Sequence, residues 1–398
     1  MPDGGGVRTF LQLLLIQATT ACSMQDQPEP IAAGGDSLPF RIELARLGTI
    51  SDSAVPGAMA GVAYVTHGPR GRLFVSSQRV PSILVFEPDG RFARTLGRRG
   101  AGPGEYARPT PPRFGPADSI YVFDMQLRRG TVLTPNGEYS RSFNTASFLG
   151  GRTLVLAAGV VVVAEDIRTR ERVGYPLHAV SPDGKLTLSF GADTPQYRAD
   201  LPALTRRVIA HAGDRQVWSA RPTAYVIERW DPATGIRTAR IERKVPWFEP
   251  YLERPGSPRA IRPRPLISAL WQDSADRLWV LIRVADESWR PTVHPDTAEA
   301  QAMRYDPAAS SSPERRDRWF DWIVEVIDIH STEVLARLRL SRSVFAVGGA
   351  DGAVLASPGH EDHVATRYEL WEPRLVPLTE PGAAKRNRSP QDSLLSSS

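Results

Sequence analysis

Two histidines and two carboxylates fall within four residues at His360-Glu-Asp-His363. Imidazole nitrogens and carboxylate oxygens are a donor set for zinc, so His360, Asp362 and His363 are candidate metal ligands. A zinc-hydrolase motif places its two histidines at helical spacing around a glutamate, whereas this segment follows Ser357-Pro-Gly359 and predicts a loop between strands. A second set of acids, Asp124 and the pair Glu165-Asp166, closes two short apolar runs. Carboxylates converging on one axis from neighbouring elements can bind calcium. Asp124 has an alternative reading as the acid that holds a turn. A third group is cationic and aromatic. Arg98 and Arg99 lie in a glycine-rich segment and suit an anionic or glycan-like ligand. Trp247 lies in the aromatic, proline-rich stretch Val245–Tyr251, and Trp289 in a long segment that ends in Arg315-Arg316-Asp317-Arg318. Aromatic and arginine side chains on loops of a rigid scaffold are frequent recognition points.

Other chemistries lack their motifs. No nucleophile elbow or Ser-His-Asp arrangement is present, and Gly100–Gly104 follows a strand-like run without opening a helix, so it is no phosphate loop. Cys22 is the only cysteine, which excludes an intrachain disulfide and a cysteine-based zinc cluster. The net charge of +5 is carried almost wholly by arginine, the lysines being Lys185, Lys244 and Lys385. The arginines are scattered and accompany no nucleic-acid-binding motif, so no nucleic-acid partner is expected. These features favour a ligand- or protein-binding scaffold that works as a monomer. The alternative is a hydrolase or lyase acting on lactones, esters or glycan fragments through bound calcium or zinc.

The elements that must position these residues are short strands. Arg72-Leu-Phe-Val75, Ser82–Glu87 and Arg91–Leu96 are strand-like runs, the last two joined by the turn Pro88-Asp-Gly90. The same order recurs with Pro135-Asn-Gly137, Pro182-Asp-Gly184 and Asp231-Pro-Ala-Thr-Gly235. Pro88, Pro135, Pro182 and Pro232 are spaced 47, 47 and 50 residues apart. A period of that length built from four short strands predicts an all-β, six-bladed β-propeller over residues 40–378. The sixth unit has no fourth strand of its own, and the lone strand Phe40–Leu47 is expected to complete it. In this topology the crossings between blades and the loops between second and third strands share one face. The hairpins share the other. All the candidate residues except Cys22 then fall on the crossing face around the central channel. The segment from about Val284 to Arg318 is an insertion in unit five.

Both ends of the chain read differently. Arg8, the apolar run Phe10–Ile16 and Thr19-Thr-Ala-Cys22 have the layout of an export signal, and Cys22 stands where a bacterial lipoprotein is lipidated. The expectation is export to the periplasm, with a membrane anchor if Cys22 is modified. Residues 23–39 predict a flexible tether and 379–398 a disordered tail.

The segment Gly97-Arg-Arg-Gly-Ala-Gly-Pro-Gly-Glu-Tyr-Ala-Arg-Pro109 resembles the linker of NHL-type repeats and of bacterial six-bladed propeller lipoproteins. Asp118-Ser-Ile-Tyr-Val-Phe-Asp124 is similar to their second strand, which ends in Val-x-Asp. The resemblance is specific in the first two units and persists as pattern through the rest. It implies a propeller tethered at the cell envelope. The acidic pattern of calcium-dependent lactonase and arylesterase propellers is not present.

Overall fold

In a computed structural model the described residues are 38–378, apart from 52, 54, 56–62, 78–79, 146–151, 253–260, 292–318, 350–351 and 362–363. The export signal with Cys22, nearly all of the tether, most of the insertion, the tail, Asp362 and His363 lie outside the described residues. Among the described residues there is no α-helix.

Strand β1 (Phe40–Ser51) is the first element among the described residues. The first blade is β2 (Ala63–His67), β3 (Leu73–Ser77), β4 (Ile83–Phe86) and β5 (Phe92–Leu96). The crossing to the second blade holds a short parallel pair, β6 (Arg98–Arg99) with β7 (Glu105–Tyr106). Blade two is β8 (Arg113–Phe114), β9 (Ile120–Asp124), β10 (Arg129–Leu133) and β11 (Tyr139–Asn144). Blade three is β12 (Thr153–Val155), β13 (Val161–Val163), β14 (Leu177–Val180) and β15 (Leu186–Phe190), and blade four is β16 (Val208–Ala212), β17 (Gln216–Ala220), β18 (Val226–Trp230) and β19 (Arg237–Glu242). Blade five is β20 (Leu266–Gln272), β21 (Arg277–Ala285), β22 (Phe320–Asp328) and β23 (Val334–Leu340). Blade six has only β24 (Phe345–Gly349), β25 (Gly352–Glu361) and β26 (Val364–Pro377) in sequence, and β1 pairs with β26 as its fourth strand. The protein is a six-bladed β-propeller closed by its N-terminal strand.

Burial explains the sequence pattern. Middle strands are covered by blades on both sides, so Ile83–Phe86 and Val161–Val163 are apolar throughout and buried throughout. Outer strands have one wet face, and β5, β11 and β19 accordingly alternate. Six hydrophobic clusters lie in the six junctions between adjacent blades. The junction of blades six and one is built like the rest: Ile50 of β1 is fully buried there with Leu73, Phe86 and Leu370. Innermost strands were the elements the sequence could not place. Those of blades two and three span two and three residues, too few for a period to register.

The hairpin glycines also seal junctions. A Cβ on Gly90 would come within 2.3 Å of the Thr49 carbonyl oxygen, and one on Gly184 within 2.3 Å of the Asn144 carbonyl oxygen. In both cases the hairpin of one blade sits directly on the outer strand of the preceding blade. The repeating Pro-Asp-Gly turn is therefore a contact between blades as well as a tight reversal, with Gly90 at φ +88°.

Candidate ligand-binding face

The linker that carries the family-like motif is a structural clamp. Tyr106 is fully buried between blades one and two, beside Ile83, Leu96 and Val122. Glu105 accepts a hydrogen bond from the Gly102 N–H at 2.8 Å and an ion pair from Arg98 at 2.8 Å. The Gly102 N–H lowers the Glu105 pKa most, and Arg98 adds to the effect. Arg129 donates to the carbonyl oxygens of Ala101, Gly102 and Glu105 at 2.6–3.0 Å. Arg98 and Arg99 are exposed on this clamp.

Asp124 is buried, and its carboxylate holds the same crossing. Oδ2 accepts from the N–H groups of Ala107 and Arg108, and Oδ1 from those of Gln126 and Leu127, all at 2.7–3.0 Å. Of the two readings open for Asp124, the structure displays the turn-holding one. Trp247 is half-buried at the junction of blades four and five, with ring centroids 6.4 Å from Tyr225 and 5.9 Å from Phe248. Trp289 packs against the core between blades five and six. His360 is in β25, and among the described residues no group of three or more His, Cys, Asp or Glu could hold a metal ion.

Glu165 and Asp166 do come together with other charged side chains. They line a cavity of about 720 Å³ on the crossing face. Its walls are the start of β2 (Tyr64), the crossing into blade two (Arg108–Pro111 and Arg113), Met125, Arg152, the loop after β13 (Ala164–Asp166 and Arg168), and the crossing into blade four (Tyr197–Ala199, Pro202, Thr205 and Arg206). Six arginines thus face two carboxylates, and the apolar part of the wall includes two tyrosines and a methionine.

Two of those arginines are held by the neighbouring blade. The Arg113 Nε donates to the Thr153 carbonyl oxygen at 2.5 Å, and the Arg152 Nη1 to that of Arg207 at 3.4 Å. Each guanidinium at the entry of an inner strand thereby reaches the entry of the next one. Burial brings the Arg113 pKa down to about 10. Burial, with Arg206 adding to it and Glu165 opposing it, does the same to Arg152. Both remain cationic at neutral pH. Glu165 is raised, first by burial and then by Asp166, against the pull of Arg152 and Arg206. Asp166 accepts from Arg168 at 3.0 Å, and Arg168 lies 5.5 Å over the Tyr197 ring. Behind the loop, the buried His178 bridges the Ser189 hydroxyl and the Glu165 carbonyl oxygen. Burial pushes its pKa down to about 4, so it is a neutral support for that loop.

The sequence reading missed Tyr64, Arg113, Arg152, Tyr197 and Arg206. A signal did exist. Arg113, Arg152, Arg207 and Arg264 each stand within two residues of the start of an inner strand, or at it, in four successive blades. That recurrence is invisible until the inner strands are placed, and those of blades two and three span only two and three residues.

The architecture is shared with known proteins. A family described as a 6-bladed beta-propeller (DUF5128) matches residues 62–129. A DUF4221-family structure from Bacteroides vulgatus superposes with a TM-score of 0.56 at 9% identity, covering 85% of this chain and 100% of its own. A Bacteroides fragilis structure whose name describes it as exported superposes at 0.50 with 10% identity, covering 87% and 98%. At such identities the likeness shows the fold alone. No curated protein matches the chain in sequence.

Proposed function

We propose that this protein is an exported binding propeller whose ligand occupies the crossing-face cavity over blades one to four. The observation that carries the reading is the cavity itself. Its volume of about 720 Å³ suits a small organic ligand, and its mix of apolar wall and convergent charged groups is that of a binding site. The walls come from four blades, so ring closure fixes their relative positions before any ligand arrives, which lowers the cost of binding. Export is supported by the Arg8–Cys22 pattern and by the exported description of the Bacteroides fragilis neighbour. Lipidation at Cys22 would tether the propeller to the membrane of the cell envelope and leave the cavity open to a diffusing ligand or a partner protein.

The test is a small-molecule screen by thermal shift on the purified chain, repeated with Tyr64→Ala. A true ligand at about 100 times its Kd adds about 2.7 kcal/mol of stability. The gain should shrink in Tyr64→Ala, whose side chain is half-exposed at the cavity wall and contributes little to folding. Ligands that stabilise both proteins equally would place binding elsewhere and end this reading. Fractionation of cells making the full chain or a form lacking residues 1–22 tests export, with only the full chain expected outside the cytoplasm.

A further inference from the structure

Tyr251 lies in the crossing between blades four and five. Its ring is buried, at 5% exposure, and its hydroxyl is buried without a hydrogen-bond partner among the described residues. A buried hydroxyl without a partner is unfavourable and retains its capacity to donate. Its surroundings are cationic. The Arg264 guanidinium lies 4.4 Å over the ring, and Arg206, Arg264 and Arg283 all act electrostatically on the hydroxyl. Burial raises the Tyr251 pKa against these three cations, so the hydroxyl keeps its proton and can donate.

Arg206 also lines the cavity and couples to Arg152 and Glu165. It therefore acts electrostatically on both the cavity wall and the Tyr251 hydroxyl. Arg113, Arg152, Arg206, Arg264 and Arg283 enter from blades two to five, at the crossing-face ends of their first or second strands. A run of cations on successive blades matches several acidic groups along one ligand better than a single anion. The planar guanidinium fork suits carboxylate and phosphate oxygens alike.

We propose that the site takes an organic polyanion, with one acidic group between Arg152 and Arg206 and a second drawn past Arg206 toward the cations around Tyr251, Arg264 and Arg283. This rests on the reading of the cavity as the ligand site. The body of the ligand lies against Tyr64 and Tyr197. Glu165 sits among the same cations as a built-in competitor for the first acidic group.

The experiment is titration calorimetry on the full chain with four probes: tripolyphosphate, trigalacturonate, the neutral methyl ester of trigalacturonate, and inorganic phosphate. Tripolyphosphate and trigalacturonate separate a phosphate source from a carboxylate source. At least one should bind, more weakly at high salt, and at least tenfold more tightly than inorganic phosphate. Arg206→Gln changes an exposed side chain whose backbone N–H, not its guanidinium, serves the adjoining turn. It should weaken binding at least tenfold. Tyr251→Phe should weaken binding several-fold while leaving the melting temperature of the free protein unchanged or higher. Glu165→Gln should tighten binding, which a merely structural role would not produce. Arg91→Gln, on the hairpin face, should change nothing.

Equal binding of the ester and the acid would overturn the polyanion while leaving the cavity reading intact. Binding that survives Arg206→Gln and Tyr251→Phe but is lost in Arg98→Gln with Arg99→Gln would overturn both. So would binding of none of the four probes at millimolar concentration together with a failed ligand screen. If that screen instead yields a neutral ligand sensitive to Tyr64→Ala, only the polyanion falls.

Discussion

At the scale of single residues, the side chains that first suggested chemistry divide by what their atoms already hold. Asp124 has the right type for a calcium ligand, yet both of its oxygens are taken by four backbone N–H groups. Asp124→Ala strands those donors in a buried crossing and should cost about 2–4 kcal/mol, read as a lower urea midpoint. An unchanged midpoint would mean that the crossing holds itself. His178 gives a pH prediction. Its folded pKa is about 4 against an ordinary value of 6.5, so between those values the unfolded chain binds a proton that the native protein refuses. Stability is therefore lost as pH falls through that window, by at most about 3 kcal/mol for this one group. Glu165, whose pKa is raised, contributes in the opposite direction over its own titration. Comparing wild type with His178→Gln isolates the histidine. Urea midpoints at pH 7 and pH 5 should differ less in the variant, and parallel losses in both would refute the assignment.

Strands and turns act through the junctions they share. The Pro-Asp-Gly turn was legible as a hairpin because its residues fit the tight reversal. That it also presses on the neighbouring blade was not legible, since Thr49 and Gly90 are brought together only by closure of the ring. Gly90→Ala meets both a positive φ and the Thr49 carbonyl, so a loss of about 2 kcal/mol or more is expected in thermal or urea unfolding. A loss below half of that would show that β1 can move aside. A different junction depends on charge. Glu325 of β22 is fully buried and receives the Tyr225 hydroxyl, Arg243 and Arg337, which ties blade four to blade five. Its apolar strand setting gave no hint of an ion cluster, because the two partners from blade four come from 82 and 100 residues away.

For the whole molecule, the decisive strand is β1. It pairs with β26 from Phe40↔Pro377 to Ser51↔Arg367 and places Ile42 and Ile50 in two junction clusters. A chain that begins at residue 52 should lose the single cooperative unfolding transition and aggregate, because the junctions on either side of blade six then open to water. Co-expression of a peptide covering residues 38–51 should restore solubility in part. Retention of wild-type cooperativity in the truncated chain would show that β1 is dispensable for closure.

The sequence alone determined the repeat, the blade count and the closing strand. Those follow from periodic burial and local turn chemistry, which every unit repeats. It also put the candidate residues on the crossing face, since strand order decides which loops share an end of the ring. The tertiary structure decided which side chains meet there. Glu165 and Asp166 were visible as acids, but the arginines that act on Glu165 stand 13 and 41 residues away along the chain, each just before an inner strand. Spacing along the chain governs how a blade forms. Convergence of blade ends around a closed ring governs which charges share a cavity, and no local pattern encodes it.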